Sequence, residues 1–165
     1  MTSRESSFEF LEIVEIPCPG EDYRRVLEGR ERFLRRPLGR TLTPEDTRGE
    51  ERQRHFILRD GGAIFGGLIV AADANGAARL RQMWIDENHR GRGLGRRLLE
   101  GVIARLAGEG IVEFALHARV AVLPFYQTCG FRAVGPEFEE IGLPHRRMVR
   151  GPEFNREIRS PDGRR

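Results

Sequence analysis

The spacing of apolar positions changes period several times along this chain, and each change marks an element. "FEFLEIVEI" (8–16) is rich in β-formers and predicts a first strand. "CPGED" interrupts it. Tyr23, Val26, Leu27, Phe33 and Leu34 then recur at helical spacing, with Asp22 the expected cap and Pro37 the stop. Residues 39–54 are polar, and Thr43-Pro44-Glu45 suits the opening of a short helix. "HFILR" (55–59), the turn "DGG" (60–62) and "AIFGGLIVAA" (63–72) read as a hairpin, and "DANG" (73–76) turns the chain into a third strand, "AARLRQMWID" (77–86). Leu94, Leu98, Leu99, Val102, Ile103 and Leu106 mark one face of a helix that ends at Gly108 or Gly110. "IVEFALHA" (111–118) is another strand and "VLPFYQTCG" (122–130) a short helix with Pro124 in its first turn and Gly130 after its end. "FRAV" (131–134) and "HRRMVR" (145–150) close as strands joined by "GPEFEEIGLP". The order β-α-(α)-β-β-β-α-β-α-β-β describes a mixed α/β domain in which a meander feeds one crossover helix.

Composition narrows the class. A chain of 165 residues predicts one domain with one core over about 8–150, followed by a polar tail over 151–165 that is expected to be mobile. The opening "MTSRESSFEF" lacks the apolar stretch of a signal peptide, and no apolar run is long enough to span a bilayer. A cytoplasmic protein without a membrane partner is expected, with Cys18 and Cys129 as free thiols. His55, His89, His117 and His145 show no metal-ligand spacing, so no metal is expected. All 28 basic residues are arginine, against 25 acidic ones. A net charge of +3 gives mild attraction for anions and does not predict a nucleic-acid partner.

The densest anomaly is "HRGRGLGRRLL" (89–99), where Gly91, Gly93 and Gly95 sit among four arginines just before the best helix. A P-loop needs a lysine that the chain lacks, and the dinucleotide fingerprint would need glycine at Arg96 or Leu98. What remains is a strand, a glycine turn and a helix start. Its backbone N–H groups and positive dipole end suit a phosphate, with Arg90, Arg92, Arg96 and Arg97 around them. A bare turn on a solvated basic face is the alternative.

Arg90-x-x-Gly93-x-Gly95 resembles the acyl-CoA pyrophosphate motif of the GNAT superfamily of N-acetyltransferases. "ARVAVLPFYQTCGF" is similar to its second signature, with Phe125, Tyr126, Gly130 and Phe131 matching, and "EIGLPHRRM" (140–148) resembles the close of small stand-alone bacterial members. The resemblance covers about 8–150 and implies a largely antiparallel sheet of about seven strands. That sheet is splayed at a central parallel pair and flanked by about four helices. It implies acetyl-CoA as co-substrate. Backbone groups of Met83, Trp84 and Ile85 would pair with the pantetheine, and Gly91, Arg92, Gly93, Leu94, Gly95 and Arg96, with Arg90, would hold the pyrophosphate. Many members carry an Asn where this chain has Arg119, to which no role is transferred.

The resemblance further implies direct acyl transfer to an amine, with a backbone N–H near Ile85 stabilising the oxyanion and Tyr126 as general acid. A phenol near ~10 and a thiol near ~8.5 are close enough to share a proton. Glu87, His117, Glu140 and His145 are the candidate bases, a water chain being the alternative to any of them, and Glu139, Glu140 and His145 form either a cluster suited to a cationic substrate or a solvated turn. A homodimer is expected through "HRRMVR", read as an arginine-rich edge strand. Two other functions compete. A non-catalytic acyl-CoA sensor on the same fold would not need Tyr126. A basic nucleic-acid-binding domain would want an aromatic-basic stripe that is lacking here.

Overall fold

The computed structural model describes residues 8 and 10–152. Of the expected tail over 151–165, residues 153–165 lie outside them. Seven strands form one sheet in the order β1-β2-β3-β4-β5-β7-β6. They are β1 (Leu11–Ile16), β2 (Arg54–Asp60), β3 (Ala63–Ala72), β4 (Ala78–Ile85), β5 (Phe114–Arg119), β6 (Arg132–Glu140) and β7 (Leu143–Arg150). β4 and β5 are parallel and the remaining neighbours antiparallel. The long segment carrying α2 (Leu94–Gly108) makes the one crossover that a parallel pair requires. The expected sheet is therefore present.

The chain forms two compact units, Met1–Ile69 with Gln82–Leu99 and Val70–Arg81 with Glu100–Arg165. In the first, α1 (Glu21–Arg30) lays Val26 against Ile16, Ile57, Phe33 and Trp84. Gly20, not Asp22, precedes this helix. Glu21 and Asp22 stand in its first turn, where acidic groups oppose the dipole, and Asp22 pairs with Arg25 at 3.3 Å. The helix does not run cleanly to Pro37: it widens to a π turn over Glu31–Arg35 and tightens to a 3₁₀ turn over Arg36–Leu38. No helix opens at Thr43. Asp46 there accepts the Thr43 N–H at 2.8 Å and its hydroxyl at 2.9 Å, closing a turn, and the helical turn comes at Glu50–Arg52 after Gly49. Three α-helices thus stand among the described residues where about four were expected, the rest being these short turns.

In the second unit β5 pairs with β7 and β7 with β6. "GPEFEEIGLP" is not a loop. It completes β6 and turns tightly at Ile141 and Gly142, both with positive φ. The edge is therefore β6, and β7, the expected edge, is enclosed. Pro136 misled the expectation. An edge strand tolerates proline, and the register shifts there, between Val134 and Phe138. α3 (Leu123–Thr128) carries Pro124 in its first turn, and Gly130 follows it at φ +81°. All six apolar residues expected along α2 are buried.

Candidate active site

The parallel ladder joins only Ala78, Arg79 and Leu80 to Phe114, Ala115 and Leu116. Two residues beyond it Gln82 has φ +51°, a left-handed conformation uncommon outside glycine that costs about 1–2 kcal/mol. A positive φ twists the strand locally and re-aims the residues after it, here Met83, Trp84 and Ile85, which still belong to β4. Trp84 is buried. A Cβ on Gly29 or Gly67 would overlap its indole, so a glycine inside α1 and another in β3 exist to seat this ring. Phe33 stacks on it, centroids 5.6 Å apart. The Trp84 side chain is a packing residue.

After Ile85, Asp86 accepts the Asn88 N–H at 2.9 Å and opens a 3₁₀ turn over Glu87–His89. Arg90 reaches back and donates from Nε to the Ile85 carbonyl at 3.2 Å, tying the glycine turn to the end of β4. Gly91 and Gly93 have φ of +75° and +76°, and a Cβ on either would meet open space. The Arg97 N–H is the first to bond back, to Gly93 O at 3.0 Å. The N–H groups of Leu94, Gly95 and Arg96 precede it at the helix start, where no helical carbonyl is available to them. Arg92 and Arg96 are exposed at the turn, whereas Arg97 is spent on the Leu11 carbonyl at 3.2 Å. Left-handed glycines, free helix-start amides and flanking guanidiniums fit a diphosphate.

The first unit also holds a cavity of about 880 Å³, walled by α1, the turns after it, Ile64 of β3, and Trp84 and Asp86 at the end of β4. Sequence reasoning missed Asp86. The available signals were its position directly after the central strand and the glycine inside an amphipathic helix, which marks a close approach.

In the second unit Tyr126 sits half-buried on α3, its ring edge-on to Phe125 and Phe131. Burial pushes its phenol up to about 12, Cys129 adds to this, and Arg119 opposes it. Arg119 thus acts on Tyr126 through its field. Three of the four candidate bases converge here, each from a different strand. His117 Nδ1 is 3.3 Å from Glu140 Oε1, and His145 Nε2 is 3.6 Å from Glu140 Oε2. Arg79 donates to the same His117 Nδ1 at 3.0 Å. Burial first, then Arg79, holds His117 below 6.5, against the pull of Glu140. Glu87 belongs to the other unit and is exposed. Among the described residues no group of three or more His, Cys, Asp or Glu is arranged to hold a metal, and no helix is long and apolar enough to cross a membrane.

The comparisons agree with this geometry. The family description "Acetyltransferase (GNAT) domain" matches residues 28–150. The uncharacterized N-acetyltransferase YjcF of Bacillus subtilis is 28% identical over 103 residues, 61% of this chain and 72% of its own. An acyl-CoA N-acyltransferase of Pseudomonas aeruginosa superposes with a TM-score of 0.74 at 18% identity, covering 86% of this chain and 99% of that one. A GNAT family acetyltransferase of Elizabethkingia anophelis with acetyl-CoA bound superposes at 0.66 with 14% identity, covering 87% and 99%. The match over most of the chain, on a sheet with one parallel pair and a glycine turn at the start of its crossover helix, places this protein in the GNAT family, as an acyl-CoA-dependent N-acetyltransferase.

Proposed function

We propose that the chain is a single catalytic domain that transfers an acetyl group from acetyl-CoA directly to a primary amine. The observation that carries this reading is the turn from Gly91 to Arg96. Two left-handed glycines there leave open space in front of the first amides of α2. Gly91, Arg92, Gly93, Leu94, Gly95 and Arg96, with the Arg90 guanidinium, hold the pyrophosphate. Backbone groups of Met83, Trp84 and Ile85 pair with the pantetheine, since they lie beyond Leu80, where the parallel ladder with β5 ends. Two free cysteines suit a reducing compartment, which favours the cytoplasm. A homodimer through the last strands would use β6, the sheet's edge.

The amine nitrogen bonds to the thioester carbonyl carbon, the C–S bond breaks, and the electron pair goes to sulfur. One proton passes in net from nitrogen to sulfur. A backbone N–H near Ile85 stabilises the intermediate oxyanion. Tyr126 stays protonated throughout, because its phenol is pushed up to about 12. Against a thiol of ~8.5, outright transfer from that phenol is uphill, so its hydroxyl works as a hydrogen-bond donor to the sulfur as charge develops. Burial has widened a gap that solution values make narrow. A sensor without catalysis would have no use for that hydroxyl.

Two variants test the reading. Gly93→Val must hold a β-branched residue at φ +76° in front of the diphosphate, so calorimetry should find acetyl-CoA binding lost in a protein that still folds. Unchanged affinity would move the cofactor elsewhere. Tyr126→Phe should bind acetyl-CoA normally and lose about 10²-fold in kcat, the low end for general acid catalysis. A kcat within about threefold of the parent would remove Tyr126 from the mechanism.

A further inference from the structure

The cavity of the first unit says what kind of amine it takes. At about 880 Å³ it is in the range of small-molecule sites and far larger than an acetyl group needs. Its floor is apolar and fixed: Phe33 stacked on Trp84, with the indole locked against Gly29. Its rim is charged, and the charges divide into two sets. Arg25 is occupied by Asp22 at 3.3 Å and by the Gly62 carbonyl at 2.6 Å. Arg36 is occupied by Glu31 at 3.5 Å. Arg32 and Glu28 are different. Glu28 stands in the last turn of α1 and Arg32 in the π turn that follows, both line the cavity, and neither has an ion-pair partner among the described residues. The Arg32 guanidinium lies over the Phe33 ring, 5.1 Å from its centroid, at the edge of the apolar floor. Asp86, which also lines the cavity, commits Oδ1 to Asn88, with His89 Nδ1 3.6 Å from the same oxygen, and its Oδ2 adds a second carboxylate oxygen beside the end of β4.

The rim therefore offers one uncommitted cation and two carboxylates around an aromatic floor. A purely cationic amine, such as a polyamine, would satisfy the carboxylates and leave Arg32 facing like charge. An amine with only an apolar body would answer the carboxylates with its ammonium and leave Arg32 unanswered. We propose that this cavity binds the acceptor, and that the acceptor is a zwitterion: an apolar amino acid or close analogue. Its ammonium faces Asp86 and Glu28, its carboxylate pairs with Arg32, and its side chain lies on Phe33 and Trp84. The proposal rests on the acyl-transfer reading, because Asp86 follows the β4 residues assigned to the thioester end of the cofactor. It gives the amine a place next to the bond that it attacks.

The test uses leucine and phenylalanine, their decarboxylated counterparts isoamylamine and phenethylamine, and spermidine. Binding is followed by calorimetry on protein saturated with CoA, and turnover by CoA release from acetyl-CoA. The amino acids should bind at least tenfold tighter than the matching amines, and spermidine should bind most weakly. Arg32→Gln should remove the advantage of the amino acids and leave the amines within threefold, because the Arg32 stacking on Phe33 is lost to both classes alike and the guanidinium–carboxylate contact to the amino acids alone. Equal or tighter binding of the amines, or an equal loss for both classes in Arg32→Gln, overturns the zwitterion assignment. So does failure of the whole panel to bind. A protein that does not bind acetyl-CoA at all is a separate result, which overturns the acyl-transfer reading first.

Discussion

Glu50 and Glu140 both collect polar side chains, one in each unit, and do opposite things with them. Glu50 is fully buried. Arg30, equally buried, donates from Nη1 to both carboxylate oxygens at 2.9 and 2.8 Å, and the Tyr23 hydroxyl donates to Oε2 at 2.7 Å. The donors and the acceptor are unambiguous. Burial, then the bond to Glu50, pushes the Tyr23 phenol far up, so that hydroxyl keeps its proton near neutrality. This pair ties the end of α1 to the turn before β2. Glu140 is 44% exposed on its side chain and faces two imidazoles. His145 donates from Nδ1 to the Leu143 carbonyl at 2.8 Å, so a neutral His145 turns a bare nitrogen toward Glu140. His117 Nδ1 cannot both accept from Arg79 and donate to Glu140. One proton more or less changes every contact in the group. A buried polar cluster with all its protons assigned is structural; one whose protons have two possible homes is where titration occurs.

The largest expected effect separates the two directly. Glu50→Ala leaves Arg30 charged in the core and should destabilise the protein by about 3–5 kcal/mol in chemical denaturation. Glu140→Ala removes a half-exposed group and should cost less than about 1 kcal/mol. Replacing both partners, as Arg30→Met with Glu50→Leu, should recover most of the first loss, since the pair itself contributes little beyond what two apolar side chains would. A Glu140→Ala loss as large as that of Glu50→Ala would end the distinction.

The same contrast explains what could be read without coordinates. The β2–β3 hairpin, the apolar face of α2 and the glycine turn are local: spacing and turn chemistry determine them, and each is found where the pattern puts it. His117, Glu140 and His145 are each candidates in the sequence, and strand pairing is what brings the three together. Glu50 is invisible, because "GRTLTPEDTRGEERQR" has the composition of a solvated stretch and only α1, twenty residues away, buries one of its charges. Gln82 is invisible for a related reason. Nothing in "RLRQMWI" marks a left-handed residue, since the need for one comes from the short ladder with β5 rather than from the strand itself. β6 was hidden by its own edge position, where exposed, proline-containing sequence is permitted.

A smaller effect sharpens the comparison at the level of a single proton. His117 is held below 6.5 by burial and by Arg79, with Arg147 adding to them and Glu140 opposing. Arg147 is itself paired with Asp73 at 3.0 Å, which leaves Arg79 the nearer cation. A base whose folded midpoint is lowered binds fewer protons folded than unfolded over the interval between the two values. Its contribution to stability is therefore complete above pH 6.5 and is lost as the pH falls through the lowered midpoint. Thermal unfolding should show that acid-side loss, and NMR titration of the imidazole should place the His117 midpoint below 6.5. Arg79→Gln removes the cation at Nδ1 and should raise the midpoint. Glu140→Gln removes the negative charge beside Nδ1 and should lower it further. Glu50→Gln, in the cluster whose protons are fixed, should leave it where it was. If His117 instead titrates at or above 6.5 and ignores Arg79→Gln, the Nδ1 proton belongs to Glu140 at neutral pH. The second cluster is then a fixed ion pair of the same kind as the first.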